Sequence, residues 1–232
     1  MSRGNMDMKI IWLGQAGLLF DNGKTRIMVD PYLSDSVEKV NPKNYRRAPI
    51  DERFFEIMPD VMIFTHDHLD HYDPETAPRF LNKNEKTMTV LCPTSVWQKA
   101  RRCAGEHNYV QFNRRTEWTE YGFRFKAVKA EHSDSFAVGV IIDDLCEGKT
   151  YYITGDTLYN EDIFSDLPAN IDTVFIPING VGNNMNMTDA KRFCERICAK
   201  NVVPYHCGMF DSIDAENFDL ENKVVPKIYE EI

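Results

Sequence analysis

Eleven residues, FTHDHLDHYDP at 64–74, hold three of the chain's six histidines and three of its aspartates. His66, His68, Asp70 and His71 make a His-x-His-x-Asp-His run. That spacing is too tight for a helix face, where ligands recur at i and i+3 or i+4, and it suits a loop that wraps a cation. In an extended turn His66 and His68 point the same way while Asp70 and His71 sit across the bend, so one short loop can serve two ions. Imidazole and carboxylate without cysteine suit Mn²⁺ or Zn²⁺, with iron a third choice. A solvated polar loop is the bland alternative, but it would stack titratable groups with no counter-ion to offset them.

Three further residues extend the pattern: His132 in AEHSDS, Asp156 in ITGDT and His206 in VVPYHCG. Each taken singly reads as an ordinary hydrogen-bonded loop residue. Together they place five of the six histidines just past the C-terminal ends of apolar strands, which is the clustering a dinuclear centre requires. The remaining one, His107 in the polar RCAGEHNYV, is expected at the surface.

Positioning such residues takes short strands that stop at one edge. MKIIWLGQAGLLFDNGKTRIMVDPYL reads as two strands joined by a tight hairpin at Asn22-Gly23, the second strand (25–29) delivering Asp30. VMIFT (61–65) leads into the His-rich loop. TVLCPTSVWQKARRC reads as a strand, Pro93 and a helix capped by Thr94 or Ser95. FRFKAVKA precedes His132, TYYI precedes Asp156, and DTVFIPING is a further strand. A helix from about Thr188 then leads into a strand ending at His206. Sites on loops held at strand ends are typical of layered α/β folds.

Composition bounds the reading. The chain has 232 residues, 43% of them hydrophobic, and no Pro/Gly/Ser-rich linker, so one domain over 1–232 is expected, with residues 1–7 a disordered N-terminal extension. There is neither a long apolar run nor a leader pattern, so the expectation is a cytoplasmic protein with no membrane partner. Six cysteines without a CxxC pair are expected to be reduced and mostly buried. A net charge of −9 and no basic run longer than two residues argue against nucleic acid. A small-molecule substrate is the expected partner, and self-association into a homo-oligomer is left open.

In this order, Asp30, the His66/His68/Asp70/His71 loop, His132, Asp156 and His206 resemble the five signature positions of the metallo-β-lactamase superfamily, from about Met8 to the C-terminus. The resemblance implies a four-layer αβ/βα sandwich with two divalent metal ions at one edge of the facing sheets. It implies that His66, His68 and His132 hold the first ion, that Asp70, His71 and His206 hold the second, and that Asp156 bridges them. Asp30 would be a supporting residue rather than a ligand. True β-lactamases of the fold usually lack the bridging carboxylate, so Asp156 disfavours antibiotic hydrolysis. WLGQAG, DPYLSDS, RRAPID and THDHLDHYDP further resemble the branch that holds L-ascorbate-6-phosphate lactonase and related metal-dependent hydrolases.

The expectation that follows is a hydrolase that opens a small-molecule lactone, with a sugar-phosphate lactone as one candidate. Two bridged ions would share a water whose pKa falls towards ~7, giving hydroxide at neutral pH. Asp70 would carry the proton to the leaving oxygen, beside Asp156 as a catalytic carboxylate. Tyr159, three residues after Asp156, resembles a lactonase tyrosine that reaches the carbonyl oxygen and would add an oxyanion donor. Arg46 and Arg47 are candidate ligands of a substrate phosphate. Asn184, with Asn179 and Asn183 in INGVGNNMN, is a candidate for the pocket wall. The alternative is a small-molecule phosphodiesterase using the same centre. A third reading, a di-iron redox protein, fits less well, because those relatives carry a Glu where His68 stands and an attached flavin domain.

Overall fold

The computed structural model describes residues 7–232, so the N-terminal extension expected over 1–7 lies, except for Asp7, outside the described residues. Two six-stranded sheets face each other. The first is built in chain order from β1 (Lys9–Gly14), β2 (Gly17–Asp21), β3 (Arg26–Val29), β4 (Val61–Ile63), β5 (Thr89–Cys92) and β6 (Asn108–Gln111). The second runs β12 (Asn201–Tyr205), β11 (Thr173–Pro177), β10 (Lys149–Ile153), β9 (Val138–Asp144), β8 (Phe123–Lys129), β7 (Glu117–Glu120).

Strand periodicity explains the layering. In β2 and β3, Leu18, Phe20, Ile27 and Val29 point into the core between the sheets, while Leu19 and Met28 point out to a second core. That second core is closed by Ala77, Phe80 and Leu81 of α2 (Thr76–Leu81) and by Val96 and Ala100 of α3 (Thr94–Ala100). In the other sheet Tyr151 and Ile153 face inward and Tyr152 faces outward, against Phe193 of α4 (Met187–Ile197). A sheet that is apolar on both faces must be covered on both, and three separate cores give the expected four layers.

Local details depart from the sequence reading. The stretch before Asn22 is two antiparallel strands, because the chain reverses at Gly14-Gln15-Ala16-Gly17, with Gly14 at φ +90 and Gln15 at φ +49. The Asn22-Gly23 connection is a four-residue loop between Asp21 and Arg26, and only Gly23 takes positive φ; the Asn22 side chain instead accepts from the Lys24 and Thr25 amides. Neither Thr94 nor Ser95 caps α3. Pro93 is the N-cap residue, and Ser95 Oγ donates to Asp134. His107 is half-buried, its Nδ1 accepting from the Met88 amide at 3.3 Å, so it is not a surface residue. All six cysteines are unpaired, but only Cys92, Cys194 and Cys207 are buried. No helix among the described residues is long and apolar enough to cross a membrane.

Candidate metal centre

The cluster gathers where the strands stop. Asp30 follows β3, the 66–71 loop follows β4, His132 follows β8, Asp156 follows β10 and His206 follows β12. Gly155, at φ +62, lets the Asp156 loop lie against its neighbours: a Cβ there would come within 2.9 Å of the Val138 carbonyl and 3.3 Å of Thr65 Cβ. Asp30, Gln15 and His206 are themselves held at positive φ (41, 49 and 54), and non-glycine residues in that region carry local strain of order 1–3 kcal/mol each.

Seven side chains converge. Potential ligand atoms of His66, His68 and His132, of His66, His71 and Asp156, and of Asp70, His71 and His206 lie within 4.8 Å of one another in each set. His66 and His71 belong to two sets, so the sets overlap into one cluster. His68 Nδ1 is 3.1 Å from His132 Nε2, and His71 Nε2 is 3.2 Å from His206 Nε2. Asp156 Oδ1 lies 3.1 Å from Nε2 of both His71 and His206.

The surrounding bonds fix which ring nitrogens face inward. Buried Asp30 accepts from the Thr65 amide (2.8 Å), the Thr65 hydroxyl (2.5 Å) and His71 Nδ1 (2.8 Å). With its proton given to Asp30, Thr65 Oγ1 accepts from His66 Nδ1 at 3.0 Å. Both rings therefore turn Nε2 into the cluster, the arrangement that outer hydrogen bonds impose on metal-binding histidines. His132 Nδ1 is 3.4 Å from the Asn183 carbonyl, which directs its Nε2 inward as well.

Two buried atoms test whether a cation fits. His66 Nε2 has no hydrogen-bond partner, and Asp156 Oδ1 has none apart from the His71 and His206 ring nitrogens at 3.1 Å, although polar atoms buried in this way are normally paired. An imidazole lone pair and a carboxylate oxygen aimed at the same point are the donors a divalent cation takes, so the residues fit a metal.

The charges agree. Burial pushes the His66 ring well below its ordinary pKa, helped by His71, and burial lowers His132 too. Burial also opposes charge on Asp156, yet His206 and His71 outweigh it and hold that carboxyl well below the usual range; Asp70 is held down in the same way, chiefly by His71. Against the burial that would lower them, His71 and His206 are raised, first of all by Asp156. The two carboxylates and the His71 and His206 rings thus favour one another's charged forms.

A cavity of about 400 Å³ opens onto the cluster, lined among others by Gln15, Asn44, Asn179 and Asn184 with His68, Asp70, Asp156 and His206. Asn184 is buried and holds Asp156 Oδ2 at 2.9 Å through Nδ2, while its Oδ1 accepts from the Thr157 amide. Arg46 and Arg47 are not among the lining residues. The Arg46 guanidinium is spent on the Tyr32 and Ala48 carbonyls and the Tyr229 hydroxyl, and Arg47 sits over the Tyr45 ring. Tyr159 is not brought to the cluster either. Its hydroxyl donates to Glu161 at 2.9 Å, its ring packs on Phe164 and Phe193, and Arg192 covers its face at 4.3 Å.

Sequence reasoning passed over several residues that hold the site. Gln15 donates from Nε2 to Asp70 Oδ2 at 2.8 Å, and its carbonyl accepts from the Trp12 indole and the His206 amide. Asp134 accepts from the Asp67 amide (3.0 Å) and Ser95 Oγ (2.6 Å), tying the His132 loop to the His-rich loop. The signals were present, a polar residue inside the apolar WLGQAG and an Asp two residues after His132, but their partners are remote in sequence.

A four-layer sandwich with a His/Asp cluster able to hold metal at one edge of its sheets defines the class. Residues 9–206 match the family model of the beta-lactamase superfamily domain, and the chain belongs to that superfamily. It is similar to a UPF0173 protein of Pyrococcus furiosus, with 25% identity over 219 residues covering 92% of this chain and 90% of that protein. It is also similar to a UPF0173 metal-dependent hydrolase of Oenococcus oeni, 28% identical over 231 residues with 90% of each covered. Among solved structures, Igni18, a metallo hydrolase of Ignicoccus hospitalis, superposes with a TM-score of 0.72 at 19% identity, covering 97% of each chain. Isothiocyanate hydrolase from Delia radicum gut bacteria superposes with a TM-score of 0.70 at 17% identity, covering 97% of this chain and 98% of that one. At such identities the structural likeness speaks for the fold alone.

Proposed function

We propose that the protein is a metal-dependent hydrolase that opens a small lactone or ester, with two divalent ions, Mn²⁺ or Zn²⁺, held by the seven clustered residues. The observation that carries this is the pair of buried donors, His66 Nε2 and Asp156 Oδ1, that the fold's own hydrogen bonds leave unsatisfied, with Asp156 lining an open cavity. His66, His68 and His132 would hold one ion, Asp70, His71 and His206 the other, with Asp156 facing both. Bound there, such ions supply Lewis-acid polarisation of a carbonyl and bring the pKa of water down to about 7.

The chain's own groups supply the rest. Asp70, at the mouth and partly open to solvent, takes up the proton that the attacking water releases and returns it to the ring oxygen when the acyl C–O bond breaks. Gln15 holds Asp70 from behind. The carboxamide of Asn44 offers a neutral donor to the substrate, while Asn179 Nδ2 meets His206 Nδ1 at 3.2 Å. No lysine or arginine is among the residues lining the cavity, so an uncharged substrate is better supported than the phosphorylated lactone of the ascorbate-6-phosphate branch. Tyr159 is left out of the mechanism, since its hydroxyl is engaged by Glu161. The unpaired cysteines agree with a reducing, cytoplasmic setting.

The test is metal analysis of protein purified without added metal, followed by a panel of lactones, carboxylic esters, thioesters and bis-p-nitrophenyl phosphate. Two equivalents of metal and turnover of lactones or esters are expected. Cleavage of the phosphodiester alone would put the phosphodiesterase reading in its place.

A further inference from the structure

A second groove of about 400 Å³ adjoins the cluster, and its character differs from that of the cavity. Both are bounded by Val37, His68 and Asp70, so they are two arms meeting at the metal-binding loop. The cavity arm carries the carboxamides of Gln15, Asn44, Asn179 and Asn184 beside Val181 and Phe210, whereas the groove arm, with Asn41 its one carboxamide, is lined by Val37 and Val40 of α1 (Ser36–Val40) with Leu69, Tyr72 and Pro74. Val40 is 73% exposed and Leu69 36%, so apolar side chains are left in water at the edge of a reaction site. Apolar surface left bare beside a site is the usual mark of a ligand contact. The charged residues in the groove, Asp67 and Lys99 at its rim and Asp70 at the junction, offer no free cation. Lys99 Nζ is 2.6 Å from Asp67 Oδ2, and Asp70 accepts from Gln15.

We propose that this groove seats an unbranched aliphatic substituent of the substrate, so that the enzyme acts on uncharged esters or lactones bearing an alkyl or acyl chain. The proposal rests on the hydrolase reading of the same site. The acyl carbon lies at the junction by His68 and Asp70, the chain runs along Val37, Val40 and Leu69, and the polar leaving part turns into the carboxamide-lined cavity. Val40 and Leu69 then set chain-length preference, and each methylene buried adds about 0.8 kcal/mol when burial is complete, or about fourfold in affinity. A groove open on one side should realise about twofold to fourfold per methylene.

The experiment uses the metal-loaded full chain with p-nitrophenyl acetate, butyrate and octanoate. Expected is a kcat/KM that climbs with chain length, and a slope that flattens in Val40→Asp and in Leu69→Asp. Leu145→Asp, at an exposed position between β9 and β10 that lines neither arm, should keep the slope. A flat wild-type slope, or a slope that survives both groove variants, overturns the proposal while leaving the hydrolase reading intact. A second readout needs no metal and no turnover: octanamide, but not acetamide, should shift the methyl resonances of Val40 and Leu69 in the metal-free protein. If no ester or lactone is cleaved at all, the hydrolase reading falls, and the methyl shifts alone decide the groove, their absence counting against it.

Discussion

Replacing Asp30 by Asn is the sharpest probe of how the centre is held. The carboxylate is fully buried and accepts from the Thr65 amide, the Thr65 hydroxyl and His71 Nδ1, at 2.8, 2.5 and 2.8 Å. Asparagine keeps the size and one acceptor oxygen. Its amide nitrogen would stand where Oδ2 now meets two donors. The Thr65 hydroxyl can rotate to accept, but His71 must then turn its Nδ1 into an acceptor, which moves the ring proton to Nε2. That is the nitrogen facing Asp156 and His206, so the change removes a ligand lone pair without touching a ligand. Losing one hydrogen bond to a buried charge costs about 1.5–3 kcal/mol of stability. Outer partners of metal-bound histidines are worth roughly 10–100-fold in metal affinity. Competition against a chromophoric chelator reads the affinity, and urea denaturation reads the stability. A folded Asp30→Asn protein whose zinc affinity stays within about twofold of wild type, well short of that range, would refute the tautomer argument.

Two other outcomes are expected. Tyr159→Phe should leave metal content and kcat unchanged, because the hydroxyl serves Glu161; a fall on the order of 10²-fold, the usual effect of deleting an oxyanion donor, would return Tyr159 to the site. Asp166 is held below the usual carboxylate range, since Arg114 and the Lys129 amide outweigh the effect of its burial. A depressed folded pKa contributes stability above the unfolded value of about 3.9, lost as pH falls through the folded one. Asp166→Asn should therefore flatten the acid limb of the stability profile below about pH 4, and urea midpoints measured against pH that fall as steeply as wild type would contradict it.

The sequence by itself picked out the clustered His and Asp residues and the layers. His66, His68, Asp70 and His71 are legible because their chemistry is concentrated in one loop, and His132, Asp156 and His206 because each ends an apolar run whose period gives the strand away. Alternation in stretches such as Leu18-Leu19-Phe20 shows that both faces of a sheet are buried, and two covered sheets leave few architectures. What only the tertiary structure decided is the direction of side chains whose partners are distant in sequence. Tyr159 stands three residues from Asp156, yet the packing of α4 places Arg192 over its ring and Phe193 against it, away from the cluster. Arg46 lies in a polar loop, but Tyr229, far along the chain, takes its guanidinium. Gln15, a polar residue within the apolar run WLGQAG, meets Asp70 and His206 because the chain reverses there at positive φ. Local spacing fixes which residues can reach a strand end. The facing of one loop toward another depends on contacts between segments tens to hundreds of residues apart, and those are set only when the two sheets close on their shared core.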